Sequence, residues 1–235
     1  MFYVLTAAIV NRNDPGYAYL GKVIHGVAHR QSTGMIHASD MAHTQSSLKD
    51  LISVEREIGV NPAVRALAVV RYPLGFDGEE RARQRCVAEL MVTLVSGFGV
   101  SSVTMDSRDP LGRASESRMP RRGFRNYEDF ITIEDLKAVG ELPKDLKVSH
   151  GNDQLKQGLW IADVATYAVG RSLADRDPSR LQWIAPHLHM REALTLPVSE
   201  RTDSGRRLSP ATEMSTFLDA FVQQARIIHD EENGG

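Results

Sequence analysis

The alternation of apolar and polar residues along the chain predicts strands separated by amphipathic helices. Four apolar segments are predicted as strands: residues 2–10, 35–38, 64–72 and 100–106. The first, FYVLTAAIV, is apolar at nearly every position, which is typical of a strand buried on both faces. In the last, Val103 and Met105 are expected on one face of the sheet, with Thr104 and Asp106 on the other.

Apolar residues that recur every three or four positions predict the helices. They cover residues 17–28, 42–58, 79–98, 149–173 and 210–229, with a short turn at 134–139 and a weakly helical segment at 181–194. Strands that alternate with helices after an initial strand pair predict a mixed α/β sheet with right-handed crossovers. We therefore predict an α/β domain over residues 1–175 and a C-terminal extension over residues 176–235, which carries the amphipathic helix 210–229.

The predicted helix 149–173 carries an acid on its apolar side. Leu159, Ala162 and Thr166 belong to an apolar stripe, and Asp163 lies on or beside that stripe. An unpaired carboxylate there would cost several kcal/mol or would take up a proton. Asp163 is therefore expected to form a buried salt bridge, to cap a neighbouring loop, or to serve as a metal-binding or catalytic acid.

Asp106 is the best partner for Asp163 in a functional site. In open α/β sheets functional groups collect at the carboxyl ends of strands, and Asp106 ends a predicted strand. A divalent cation between the two carboxylates would offset their repulsion, and oxygen ligands select Mg²⁺ or Mn²⁺. His37, on the short second strand, is either a proton carrier, a ligand or a structural histidine. We predict these three residues as the catalytic set, with Asp106 and Asp163 as the metal ligands.

A local basic segment follows the last predicted strand. Residues 108–125 hold six arginines: Arg108, Arg113, Arg118, Arg121, Arg122 and Arg125. Phe124 and Tyr127 lie among or just after them, and basic side chains interleaved with aromatic ones can bind a phosphate backbone and stack on bases. We predict that the last five of these arginines bind nucleic acid, and the alternative is an ordinary surface loop.

The composition restricts the classes of function. With 235 residues and 42% apolar content the chain can bury a core, and a net charge of -2 gives no global attraction to nucleic acid or to a membrane. The single cysteine, Cys86, excludes an internal disulfide and predicts a cytoplasmic location, and the apolar residues 1–10 are too few to span a bilayer. The absence of a glycine-rich phosphate loop, a nucleophile elbow and an HExxH motif removes the main support for P-loop, α/β-hydrolase and zincin functions.

Four segments of the sequence carry a resemblance to a known family: FYVLTAAIV, IHASD before a helix, SVTMDSRD, and LWIADVATYAVGR. They resemble a bacterial domain-of-unknown-function family whose members are similar to RNase H-like folds, and the resemblance spans residues 2–174. The family's Leu-Gln-x-Ala-Asp motif matches residues 159–163, with Trp160 in place of Gln. Its first-strand motif, Asp-Glu-Ser-Gly, has no counterpart here, since Met1 stands where the family's second strand begins.

The resemblance implies a nuclease-like fold, in which carboxylates hold two metal ions that activate water and stabilise the leaving oxygen of a phosphodiester. Three functions remain as alternatives: a metal-dependent nuclease or phosphodiesterase, an inactive RNase H-like module that binds nucleic acid or a protein partner, and a structural protein that oligomerises through helix 210–229. If residues 2–10 form the family's second strand, one of its edges is open. That edge is then expected to pair with another copy of the chain, with strand 64–72 or with upstream residues.

Overall fold

The computed structural model describes residues 2–71, 78–107, 125–151, 157–193 and 212–233. Its strands are β1 (Tyr3–Val10), β2 (Val64–Arg71), β3 (Ser102–Asp106), β4 (Lys147–Gly151) and β5 (Leu188–Glu192). β1 pairs with β2 in antiparallel register and β5 pairs with β2 in parallel register, which gives a three-stranded sheet in the order β1-β2-β5. β3 and β4 form a separate parallel pair. The fold is therefore mixed α/β, as predicted.

Capping residues mark the ends of several α-helices in the described residues. The α-helices are α1 (Pro15–Ala28), α2 (Ala38–Met41), α3 (Gln45–Val60), α4 (Glu79–Phe98), α5 (Arg125–Ala138), α6 (Gln157–Asp175) and α7 (Thr212–Asn233). Asp14 caps α1 by accepting a hydrogen bond from the Gly16 amide at 2.8 Å, and Thr44 caps α3 by accepting one from the Ser47 amide at 3.3 Å. Gly99 ends α4 at φ 65°, a left-handed conformation that glycine adopts without steric cost.

Helices cover both faces of the three-stranded sheet. On β2, Ala66, Ala68 and Val70 belong to a core cluster with α1, α3 and α6, whereas Leu67 and Val69 pack against α4 on the opposite face. β1 alternates in the same way, because its even-numbered apolar residues contact the first cluster and its odd-numbered ones contact the second. A third cluster joins α4, α5 and β3. The sheet is thus the middle layer of three, and its strands carry apolar residues on both faces.

Several predicted boundaries agree with the structure. α4 has the predicted bounds residue for residue, β1 and α1 differ from their predictions by one or two residues, and residues 64–71 of the third predicted strand form β2. Cys86 is fully buried in the cluster between α4 and β2, and desolvation raises the pKa of its thiol to about 12. It is therefore a core residue.

The predicted strand at residues 35–38 is wrong. His37 has extended backbone angles, but it is the N-cap residue of α2, and the described residues around it pair with no strand. The apolar run Met35–Ile36 reflects burial of Ile36 against the first core cluster. Four residues are too few for periodicity to separate a strand from the entry to a helix.

The predictions for residues 107–194 need three corrections. Residues 149–151 end β4 and do not begin a helix, and α6 is described from Gln157, so the expected caps Asn152 and Asp153 lie outside the described residues. The segment expected to be a long loop contains α5, fourteen residues long, in place of the short turn at 134–139. The weakly helical segment at 181–194 instead contains a 3-10 turn and the strand β5. β4 and β5 are both five residues long, so they carry little periodic signal.

The C-terminal segment packs onto the same core. β5 hydrogen-bonds to β2, and the buried face of α7 contains Leu218, Phe221, Val222 and Ala225. Arg226 of α7 donates hydrogen bonds to the carbonyl oxygens of Ala185 and Leu188, each at 3.0 Å. The predicted division at residue 175 stays a prediction, and α7 uses its apolar face within the chain. Across the described ranges, no helix has both the length and the apolar character needed to cross a membrane.

Candidate functional site

A groove of about 780 Å³ runs between β1 and β3, and we call it the β1–β3 groove. It is lined by every residue of both strands, by α6 between Gln157 and Thr166, and by four residues of α4. Asp106, Asp163 and His37 all line it. The fold therefore brings three residues that are distant in sequence to one concave surface, which is where ligand sites are usually found.

Asp106 reaches the groove because it ends β3 on the exposed face of that strand. Met105 is 7% exposed and Val103 contacts the same cluster of α4 and α5, so the odd-numbered residues of β3 point inward. Asp106 is exposed, as the alternation predicted. Its carboxylate can thus be reached from solvent.

Asp163 lies half-buried on the face of α6 that borders the groove. Its Oδ2 atom accepts a hydrogen bond from the backbone amide of Ala38 at 2.8 Å. Ala38 is the first residue of α2, so this carboxylate oxygen satisfies an amide that has no partner within the helix. Of the roles predicted for Asp163, capping of a neighbouring segment is therefore observed, and its Oδ2 atom provides the cap. That bond also fixes the orientation of the carboxylate.

The same bond positions His37. His37 precedes Ala38 directly and is the N-cap residue of α2, with φ -119° and ψ 102°. Since Asp163 holds the Ala38 amide, the imidazole is carried on a backbone segment anchored to α6. The half-buried imidazole beside this carboxylate-bearing groove has the chemistry of a general acid or base.

Arg83 is a groove residue that sequence reasoning did not identify. It forms a two-pronged ion pair with Asp129 of α5, with Nε–Oδ1 and Nη2–Oδ2 distances of 2.9 and 2.7 Å, and its Nη1 donates to the Tyr3 hydroxyl at 3.2 Å. Burial acts to lower the pKa of Arg83, but the hydrogen bond and charge of Asp129 outweigh it and hold that pKa above its ordinary value. Asp129 is completely buried, so the pair joins α4, α5 and β1 into one unit. An ion pair between distant segments leaves no periodic signal in a sequence.

Two buried polar atoms in the groove wall have no hydrogen-bond partner among the described residues. They are Oγ1 of Thr6, a residue that is 9% exposed, and Nε1 of Trp160, a residue that is 3% exposed. A buried polar atom without a partner costs about 1–3 kcal/mol.

Asp106 and Asp163 are the groove carboxylates that could hold a metal ion. Within the described ranges no three His, Cys, Asp or Glu side chains converge as a metal site. Mg²⁺ is commonly held by one or two carboxylates, with waters and substrate phosphates as its other ligands, so Asp106 and Asp163 have suitable donor chemistry. Of the arginines predicted to bind nucleic acid, Arg125 is exposed in the first turn of α5. The other four, Arg113, Arg118, Arg121 and Arg122, lie outside the described residues.

In comparisons with known proteins, no family model, curated protein or solved structure matches this chain.

Proposed function

We propose that this protein is a metal-dependent phosphodiesterase that acts on nucleic acid, with an RNase H-like arrangement of its sheet. The observation that carries the proposal is that Asp106, Asp163 and His37 all line the β1–β3 groove. We expect the protein in the cytoplasm, because its single cysteine is a buried, free thiol.

Each groove residue has a defined part in this chemistry. Asp106 and Asp163 would hold Mg²⁺ or Mn²⁺, which when bound supplies a Lewis acid for a phosphoryl oxygen. His37 would accept or donate the proton that the reaction moves. The groove also contains Arg12, exposed just after β1, and its positive charge would attract a phosphate backbone. The arginines of residues 113–125 would extend that contact to neighbouring phosphates.

The test uses substitutions that preserve the cap. Asn at position 163 keeps a carbonyl oxygen that can accept the Ala38 amide, so Asp163→Asn is expected to fold while it loses the negative charge. Mn²⁺ should raise the melting temperature of the wild type by mass action, and this rise should be absent in Asp163→Asn and in Asp106→Asn. Cleavage of a fluorescent single-stranded oligonucleotide should be lost in both variants.

Asp145→Asn is the matched control, since Asp145 is exposed in the turn before β4 and does not line the groove. It should retain the wild-type metal response and activity. Equal stabilisation of all four proteins by Mn²⁺ would contradict the proposal and leave Asp163 as a structural cap.

A binding module without catalysis is the second candidate. The observation that favours it is the small number of acidic ligands in the groove, together with the apolar wall that α4 supplies. Wild-type oligonucleotide binding without cleavage at any Mg²⁺ or Mn²⁺ concentration would support this alternative.

A further inference from the structure

The β1–β3 groove separates two sheets that would otherwise be neighbours. β1 is an edge strand of the three-stranded sheet, and no hydrogen-bonded ladder joins it to β3 in the described residues. All eight residues of β1 and all five of β3 nevertheless line the same groove. The groove is thus bordered along its whole length by the edges of two strands.

The backbone of β1 directs alternate peptide groups into this groove. The Asn11 amide donates to the Ala63 carbonyl at 3.2 Å and so continues the β1–β2 ladder, in which odd-numbered residues of β1 face β2. On the far side of β2, the Ala193 amide donates to the Val70 carbonyl at 2.8 Å, which shows that even-numbered residues of β2 face β5. The peptide groups of Val4, Thr6, Ala8 and Val10 therefore point away from β2, toward the groove.

β3 presents the complementary edge. The Ser107 amide donates to the Gly151 carbonyl at 3.0 Å, and the Lys147 amide donates to the Ser101 carbonyl at 3.3 Å. Odd-numbered residues of β3 therefore face β4, and the peptide groups of Ser102 and Thr104 face the groove. Both borders consequently offer N–H donors and C=O acceptors with the spacing of a β-strand.

Helices line the groove above and below. Leu90, Met91 and Leu94 of α4 line one face, while Trp160 and Asp163 of α6 line the other. With strands about 4.8 Å apart, layers about 10 Å apart and a rise of about 3.3 Å, one strand residue fills roughly 160 Å³. The groove volume of about 780 Å³ therefore leaves room for a strand segment of about the length of β3.

We propose that the β1–β3 groove is an acceptor site for an extended polypeptide segment from another protein, which binds as a strand and joins the two sheets into one. The two borders would hydrogen-bond to both edges of that segment, as in strand addition. Its side chains would alternate, apolar toward Leu90, Met91 and Leu94, and polar toward Thr6 and Asp163. A peptide matches these borders because its own backbone carries amides and carbonyls at the spacing of a strand.

Proline substitutions test the direction of the β1 peptide groups. Proline removes one amide donor and is tolerated in a strand only where that amide faces away from a partner. Ala8→Pro should therefore fold, with a melting temperature near that of the wild type, because the Ala8 amide faces the groove. Ala7→Pro is the matched control and should fail to fold, because the Ala7 amide faces β2. Equal loss of folding in both variants would overturn the open-edge assignment.

Peptide binding tests the occupant. The probe is a seven-residue peptide of alternating valine and threonine with a lysine at each end, and the signal is the fluorescence of Trp160 in a Trp183→Phe background. Binding should be saturable in the wild type and at least about tenfold weaker in Ala8→Pro, which lacks one border hydrogen bond and carries a proline ring at the edge. The same peptide with alternate backbone amides methylated should bind at least about tenfold more weakly.

Three results would overturn the proposal. The first is equal binding of the methylated and unmethylated peptides, or of the wild type and Ala8→Pro. The second is a Trp160 response to a single-stranded oligonucleotide, unaffected by Ala8→Pro, with none to the peptide, which would make the groove a nucleic-acid site. The third is a concentration-dependent dimer in light scattering that is lost in Ala8→Pro, which would identify a second copy of this chain as the occupant.

Discussion

β1 and β2 are adjacent strands with similar apolar sequences, but they differ in burial. Six of the eight residues of β2 are buried, whereas within β1 only Thr6 is. β2 lies between two hydrogen-bonded strands, and helices cover both of its faces. β1 has the same helices above and below it, but its second edge borders the groove. Apolar composition therefore reports that a strand is suited to burial, while its neighbours decide how much burial it reaches.

The largest effect is expected from Gly59 of α3, a helix that does not line the groove. A Cβ atom at Gly59 of α3 would lie 1.5 Å from the backbone oxygen of Trp183, so Gly59→Ala must displace main chain. We expect a loss of more than about 4 kcal/mol in the free energy of unfolding, or no folded protein. Urea denaturation followed by circular dichroism measures this.

Gly158 of α6, which lines the groove, is the control. The nearest atom to a Cβ at this position is the Tyr17 hydroxyl oxygen, at 3.9 Å, which is ordinary contact. Gly158→Ala in α6 should be neutral, or stabilising by up to about 1 kcal/mol through helix propensity. Similar losses of unfolding free energy in the two variants would show that α6 is as tightly packed beside the groove as α3 is against Trp183.

The second prediction concerns a buried acid of α3, away from the groove. Glu55 of α3 is 7% exposed, and burial raises its pKa from 4.5 to about 8, against a smaller lowering by Arg180. Between these pH values Glu55 binds its proton more strongly in the folded state than in the unfolded state. Its contribution to stability is therefore fully present below pH 4.5 and is lost as the pH rises toward 8. Glu55→Gln should remove this fall and stabilise the protein at pH 7 by on the order of 3 kcal/mol.

Melting temperatures of wild type and Glu55→Gln, measured between pH 5 and pH 9 at constant ionic strength, check this prediction. The difference between the two proteins should widen up to about pH 8 and then remain constant. Parallel curves over the whole range would mean that Glu55 titrates normally in the folded protein.

The third prediction compares one substitution on the two strands. Leu67 of β2 is fully buried, so Leu67→Ala should cost about 3 kcal/mol through lost burial and a residual cavity. Leu5 of β1 faces the same side of the sheet but is half-buried beside the groove, so Leu5→Ala should cost only about 1 kcal/mol. Chemical denaturation of the two variants measures the difference. Equal costs would show that the groove does not lower the packing of β1.

Much of the fold follows from local patterns. The bounds of α4 follow from its glycine ends and its apolar spacing, and the runs FYVLTAAIV and VRALAVVR identify β1 and β2. β4 and β5 could not be found in this way, because five residues give too little periodicity and their strand character depends on pairing with β3 and β2. Residues 35–38 show the converse, since their apolar character serves burial of a loop.

In the candidate site, too, some features follow from local sequence patterns and others depend on tertiary contacts. The sequence by itself determined that Asp106 ends a strand on its polar face, because that feature depends only on local periodicity. The apolar stripe predicted around Asp163 is wrong, because Leu159, Ala162 and Thr166 are only half-buried beside the groove and α6 buries its neighbouring face. Only the tertiary structure decided that Asp163 accepts the Ala38 amide, that Arg83 pairs with Asp129, and that β1 and β3 border one groove. Those facts depend on contacts between residues far apart in the chain. Such contacts arise from packing of whole elements, which the spacing of residues within any one element does not encode.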